Sequence, residues 1–157
     1  MTLYQTHIHQ LLQVIGNRCG VDLTLKNGYC TLSFDQESRL HVQVSRDSET
    51  VVFRMPLTQP PNANKEAFYA KLLNINSQPE TTLGAWLALS EHSGAVELCM
   101  SREALSLDDS EMAAILLNMM DLRQSLRQEL ETPQSTPKPC SPQHFGASVL
   151  HARHQAL

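Results

Sequence analysis

The sequence predicts an α+β fold: a two-layer sandwich, with helices on a twisted antiparallel sheet, in the order α-β-β-β-α-β-β-α. Three observations carry that expectation. Apolar residues recur at three- and four-residue intervals near both ends of the chain, as Leu3, Tyr4, Ile8, Leu11, Leu12 and Ile15, and as Met112, Ile115, Leu116, Met119, Met120, Leu122 and Leu126. Each set lines one side of a helix. Between them, three short runs alternate apolar and polar residues, as half-buried strands do. A third feature is the apolar stretch from Phe68 to Met100, a short helix followed by a hairpin.

In chain order, the first helix spans Thr2 to about Cys19. Thr2 and Gln5 have capping-box spacing, and Gly16 or Gly20 can end the helix. Asn27-Gly28 is a tight-turn signal, since both residues tolerate positive φ. It predicts a short strand at Val21–Leu25 joined to one at Tyr29–Phe34, with Cys30, Leu32 and Phe34 on one face. Leu40–Ser45 and Thr50–Met55 follow as two more strands, the latter stopped by Pro56. Asn62 or Asn64 can cap a second helix from Lys65 to about Ile75. The strands Leu83–Leu89 and Ala95–Met100 flank Glu91-His92-Ser93-Gly94. The first of them is apolar on both faces, which suits a strand covered on both sides or one at a subunit interface. Asp108 and Glu111 have capping-box spacing at the start of the last helix, Asp109 to about Leu130, whose final turns carry Arg123 and Arg127.

These elements make one domain over residues 1–130 of the 157. Beyond Glu131 the stretch TPQSTPKPCSPQ holds four prolines and almost no apolar residues. A segment of that kind buries too little surface to offset its ordering entropy, so 131–157 is expected to be a mostly disordered tail.

Composition excludes several function classes. The formal charge of −4, from 12 basic and 16 acidic residues, argues against nucleic-acid binding, which calls for a basic patch. No apolar run is long enough to span a membrane, and the amino terminus does not read as a secretory leader. Cys19, Cys30, Cys99 and Cys140 form no CxxC or zinc-finger spacing and read as reduced thiols. His7 and His9 point to different sides of a helix and make a poor metal pair; His151 and His154 sit in the tail. The acids near Asp108 are explained by helix capping. There is no GxSxG turn and no phosphate-binding glycine loop. No catalytic residue, metal site or cofactor is implied, and a binding protein is the better class than an enzyme. Trp86 reads equally as core or as interface.

Over roughly residues 3–130 the sequence resembles the class I type III secretion chaperones of the Tir-chaperone (CesT-like) family. The likeness rests on LLQVIGNRCG with NGYCTLSFD, on LHVQV followed by TVVFRMPL, and on AKLLNINSQPETTLGAWLALSEHSGAVELCMSREALSLDDSEMAAILLNMMDLRQSL. Leu72, Leu73, Asn76, Gly84, Gly94, Leu98, Leu105 and Leu107 stand at the family's positions. The tail is longer than such chaperones usually carry, and the asparagine falls at both Asn74 and Asn76.

The resemblance implies a cytoplasmic homodimer in a Gram-negative bacterium, without enzymatic activity. It would bind the N-terminal chaperone-binding segment of a cognate effector in extended form, keeping it soluble and secretion-competent, with the secretion ATPase as a further partner. An extended peptide can add a strand to a sheet edge while its apolar side chains enter pockets. On this reading the effector groove is lined by Leu12, Ile15, Leu32, Phe34, Val42, Val44 and Phe53. The dimer interface uses Phe68, Leu72, Leu83, Trp86 and Leu98. The alternative is a dimeric adaptor that sequesters a regulator or secretion component.

Overall fold

In the computed structural model, residues 1–36 and 38–131 are described. Helix α1 is Leu3–Cys19. At its start the Gln5 N–H donates to Thr2 Oγ1 at 3.3 Å and the Thr2 N–H donates to Gln5 Oε1 at 3.2 Å. This is the reciprocal cap that the spacing predicts. Gly20, at φ 70°, ends the helix and returns its N–H to the Gly16 carbonyl. The expected strand at Val21–Leu25 does not form. Leu23 and Leu25 turn into the core instead, and the Leu25 N–H donates to His9 Nδ1 at 3.2 Å.

Asn27 (φ 52°) and Gly28 (φ 81°) make the two-residue turn, across which Lys26 and Tyr29 exchange both backbone hydrogen bonds. Strands β1 (Tyr29–Ser33), β2 (Arg39–Val44) and β3 (Thr50–Thr58) form a meander. Strand β3 does not stop at Pro56. It continues to Thr58 through a register shift between Pro56 and Thr58, and there the missing proline N–H is tolerated. Arg123 reaches across and donates Nε–H to the Pro56 carbonyl at 2.7 Å.

Helix α2 is Lys65–Asn76. Asn64 precedes it at φ 56° without a side-chain cap, so the chain enters the helix through a left-handed residue rather than an asparagine cap. After Ser77 and Gln78 the chain forms a short helix, α3 (Pro79–Thr82). Pro79 is preset for a helix start. Leu83 (φ 52°) and Gly84 (φ 80°) then reverse the chain in left-handed conformation. Strand β4 therefore begins three residues later than expected and is only Trp86–Leu89. Strand β5 (Val96–Glu103) leads through a 3₁₀ turn at Ala104–Ser106 into α4 (Asp109–Glu131). Asp108 and Glu111 cap α4 reciprocally, at 2.8 and 3.2 Å.

The five strands are antiparallel in the order β1-β2-β3-β5-β4. Register fixes the faces. Cys30, Val42, Phe53 and Met100 lie in one row across the sheet, and Met55, Leu98 and Leu87 in another. This face packs in one cluster with Ile8 and Leu12 of α1, Leu72 and Ile75 of α2, and Met112, Met119 and Leu126 of α4. Each such side chain contributes about 1.5–3 kcal/mol relative to exposure. The proline-rich tail expected over 131–157 falls outside the described residues, save Glu131, which closes α4.

Candidate interaction surface

The opposite face of the sheet carries a different row: Thr31, His41, Arg54, Cys99 and Trp86, in register across all five strands. Thr31 Oγ1 and His41 Nδ1 are 3.0 Å apart, and Arg54 pairs with Glu97 at 3.8 Å. Cys99 is buried although it lies on this side, outside the main core cluster. Burial pushes its thiol up to about 11, with the Glu97 charge acting in the same direction and Arg54 opposing it. Trp86, its partner in register, is 38% exposed. The face is thus polar at the β1 side and apolar at the β4 side.

The two edges of the sheet also differ. In β1 the even-numbered residues bond to β2, an alternation that Val44 N–H to Gly28 O and Phe34 N–H to Ser38 O continue at either end. Tyr29 faces outward and is taken up by Lys26. Thr31 and Ser33 face outward with no backbone partner among the described residues. Tyr29 and Phe34, at either end of this open stretch, are both exposed apolar residues. At the other edge, Leu87 of β4 faces outward and both of its backbone groups are used. Its N–H donates to Asn76 Oδ1 at 2.7 Å, and its carbonyl accepts from Asn76 Nδ2 at 3.0 Å.

Of the residues expected to line an effector groove, only Phe34 is exposed. Leu12, Val42 and Phe53 have no accessible surface, and Ile15, Leu32 and Val44 are also buried, on the helix-covered side of the sheet. In this chain they form the core beneath the surface rather than the surface itself. Of the expected dimer residues, Leu83 (63% exposed) and Trp86 are on the outside. Phe68 is half-buried, edge-on to Tyr69 at 5.8 Å, whereas Leu72 and Leu98 are core. Sequence reasoning missed Leu73 and Leu89, which stand exposed on α2 and β4. Leu73 offered a signal, since it directly follows the core residue Leu72 and so points off the buried stripe.

The surface offers little chemistry. Among the described residues there is no cluster of three metal-ligating side chains, and no buried side-chain nitrogen or oxygen lacks a partner. Cys30, like Cys99, is held in its thiol form by burial. An open groove of about 710 Å³ lies between the end of α4 and the β1–β2 turn. Met55, Met120, Arg123 and Arg127 line it, but Arg123 is engaged by the Pro56 carbonyl and by Ser38 Oγ at 3.2 Å. Among the described residues no helix is long and apolar enough to cross a membrane.

A family model described as the Tir chaperone protein (CesT) family matches residues 10–127. The chain belongs to this family. It is a family of chaperones of type III secretion, not of enzymes, and the match runs from the middle of α1 through most of α4. Solved structures agree on the fold. The ExsC–ExsE complex is similar with a TM-score of 0.71 at 19% identity, over 83% of this chain and 97% of the other. The HopA1–SchA chaperone–effector complex follows at 0.65 and 17%, over 82% and 98%. The Yersinia pestis chaperone SycH, in complex with a fragment of YscM2, gives 0.57 and 15%, over 75% and 98%. No curated protein sequence matches.

Proposed function

We propose that this CesT-family protein is a type III secretion chaperone that holds the N-terminal chaperone-binding segment of a cognate effector in extended form, keeping it soluble and competent for secretion. The observation that carries this reading is the family match over residues 10–127. Several of the similar folds are themselves in complex with effectors or fragments of partner proteins. The local geometry is suited to an extended guest. Thr31 and Ser33 offer outward backbone groups at the β1 edge, with Tyr29 and Phe34 beside them for apolar contact. Main-chain bonding supplies affinity in such an arrangement and flanking side chains supply selection.

We further propose that the working unit is a cytoplasmic homodimer joined around α2 and β4, where Leu73, Leu83, Trp86 and Leu89 are exposed. The secretion ATPase is the expected next partner. The test is co-expression with the N-terminal segments of secreted proteins encoded beside this chain. The expected result is a soluble, protease-resistant complex with two copies of this chain and one segment. A chain that stays monomeric at micromolar concentration and protects no segment from proteolysis overturns the reading.

A further inference from the structure

An antiparallel sheet of five strands has two edges, and each edge is a template for pairing with another strand. In this molecule the edges are not equivalent. The outward groups of β1 at Thr31 and Ser33 are unpaired among the described residues, whereas at β4 the Ala85 N–H and both groups of Leu87 are taken up from within the chain and only Leu89 stays open at the strand's end. Alternation along β4 makes Ala85, Leu87 and Leu89 the outward positions, since Ser90 N–H bonds inward to Ala95. Ala85 N–H is satisfied by the Thr82 carbonyl. Leu87 is satisfied at both its N–H and its carbonyl by the one side-chain amide of Asn76, at 2.7 and 3.0 Å. A primary amide presents a donor and an acceptor side by side, the same pair that a neighbouring strand would present.

We propose that Asn76 acts as a one-residue strand mimic that closes the β4 edge to strand pairing, so that an added strand is directed to the β1 edge. The closure stands on the Asn76–Leu87 geometry alone; the direction to β1 rests on the functional reading above. Only an amide fits both groups of Leu87. Aspartate keeps the acceptor for the Leu87 N–H but sets a carboxylate oxygen against its carbonyl. Leucine or alanine satisfies neither. The exposed Leu89 lies two residues further along the same edge. Once Leu87 is released, Leu87 and Leu89 together offer a pairing template flanked by apolar side chains.

The experiment uses the full chain and two readouts, amide hydrogen exchange and particle size against concentration. In the wild type, the Leu87 amide should exchange at least tenfold more slowly than those of Thr31 and Ser33. A Leu87 amide as fast as theirs overturns the proposal without any variant. In Asn76→Ala, Leu87 exchange should rise at least tenfold, and species larger than the wild-type assembly should grow with concentration. As the larger species form, the Leu89 amide should slow at least tenfold, as pairing along the opened edge requires. Larger species in which the Leu89 amide stays fast are not edge-paired and overturn it, as does an Asn76→Ala chain with unchanged exchange and size. Should Asn76→Ala not fold, Asn76→Asp gives the decision: Leu87 exchange stays slow while edge assembly appears. These outcomes need no effector, so they are separable from failure of the chaperone reading.

Discussion

The N-terminal and C-terminal halves of this sheet handle apolar surface in opposite ways. In the meander of β1–β3, alternation is strict, and the apolar members face the helices: Cys30, Leu32, Leu40, Val42, Val44, Val51 and Phe53 are all buried. The opposite positions are mostly polar, from Thr31 to Arg54, with Tyr29 and Val52 as the exceptions. Around α2 and β4 apolar residues are spent on both sides, and Leu73, Leu83, Trp86 and Leu89 stay exposed although Leu72, Ile75 and Leu87 already fill the core. A fold gains nothing in isolation from the second set. Scattered apolar residues are ordinary on a surface, but four within one helix–strand unit mark it as a candidate interface. On the proposed reading the contrast divides stabilising residues from associating ones, and substitutions can break it.

The largest effect is expected where the core is deepest. Phe53 has no exposed surface and sits in the row Cys30–Val42–Phe53–Met100. Phe53→Ala should cost about 3–5 kcal/mol, read as a lowered urea midpoint. A loss below about 1 kcal/mol would return Phe53 to the list of groove residues. Trp86→Ala should do the reverse. Its unfolding midpoint, measured at a dilution where the chain is monomeric, should barely move. Its self-association should weaken by about tenfold or more, the scale of an aromatic hot spot. Sedimentation at graded concentrations checks this, and an unchanged association constant removes Trp86 from any interface.

Glycines sharpen the same contrast. Gly28 and Gly84 both hold φ near +80°, a region that L side chains rarely adopt. A Cβ on Gly28 would lie 2.4 Å from the Val44 carbonyl oxygen, while one on Gly84 meets nothing within 4 Å. Gly84→Ala should therefore cost about 1 kcal/mol, for conformation alone. Gly28→Ala should cost clearly more, since the β1–β2 pairing must shift as well. Equal thermal midpoints for the two variants would mean that the tight turn yields without disturbing β2.

How far the sequence revealed these features follows from the range of each interaction. Short-range signals were legible: Thr2 with Gln5, Asp108 with Glu111 and Asn27-Gly28 each involve groups within three residues, and all form with the expected partners. Signals that depend on what lies opposite were not. Val21–Leu25 alternates like a strand, but its Leu25 N–H is met by His9, sixteen residues earlier. Pro56 reads as a stop because nothing local indicates that Arg123 will accommodate the irregularity beyond it. Alternation identifies two faces of the meander without saying which one the helices cover. Alternation alone therefore leaves the apolar face open to a groove reading, although core residues of α1 and α4 pack on it. Asn76 was visible as part of LLNIN, but its bond to Leu87 depends on α3 turning the chain back.

The smallest expected effect tests a buried thiol on the uncovered side of the sheet. Cys99 lies beside Trp86 and between the Arg54 and Glu97 charges, with its thiol pushed up from 9.0 to about 11, first of all by burial. The folded state therefore keeps a proton that the unfolded chain gives up first. Between about pH 9 and 11 the folded chain binds more protons, so stability falls as pH rises through that window and is fully present below it. Tyr4, raised chiefly by its hydrogen bond to Glu49, acts in the same sense. The contribution of Cys99 is therefore read as a difference. Cys99→Ala should show a shallower decline of the urea midpoint from pH 9 to 11 than the wild type. Parallel declines would mean that solvent reaches the thiol through the Trp86 side, and that this corner is as open as the β1 edge.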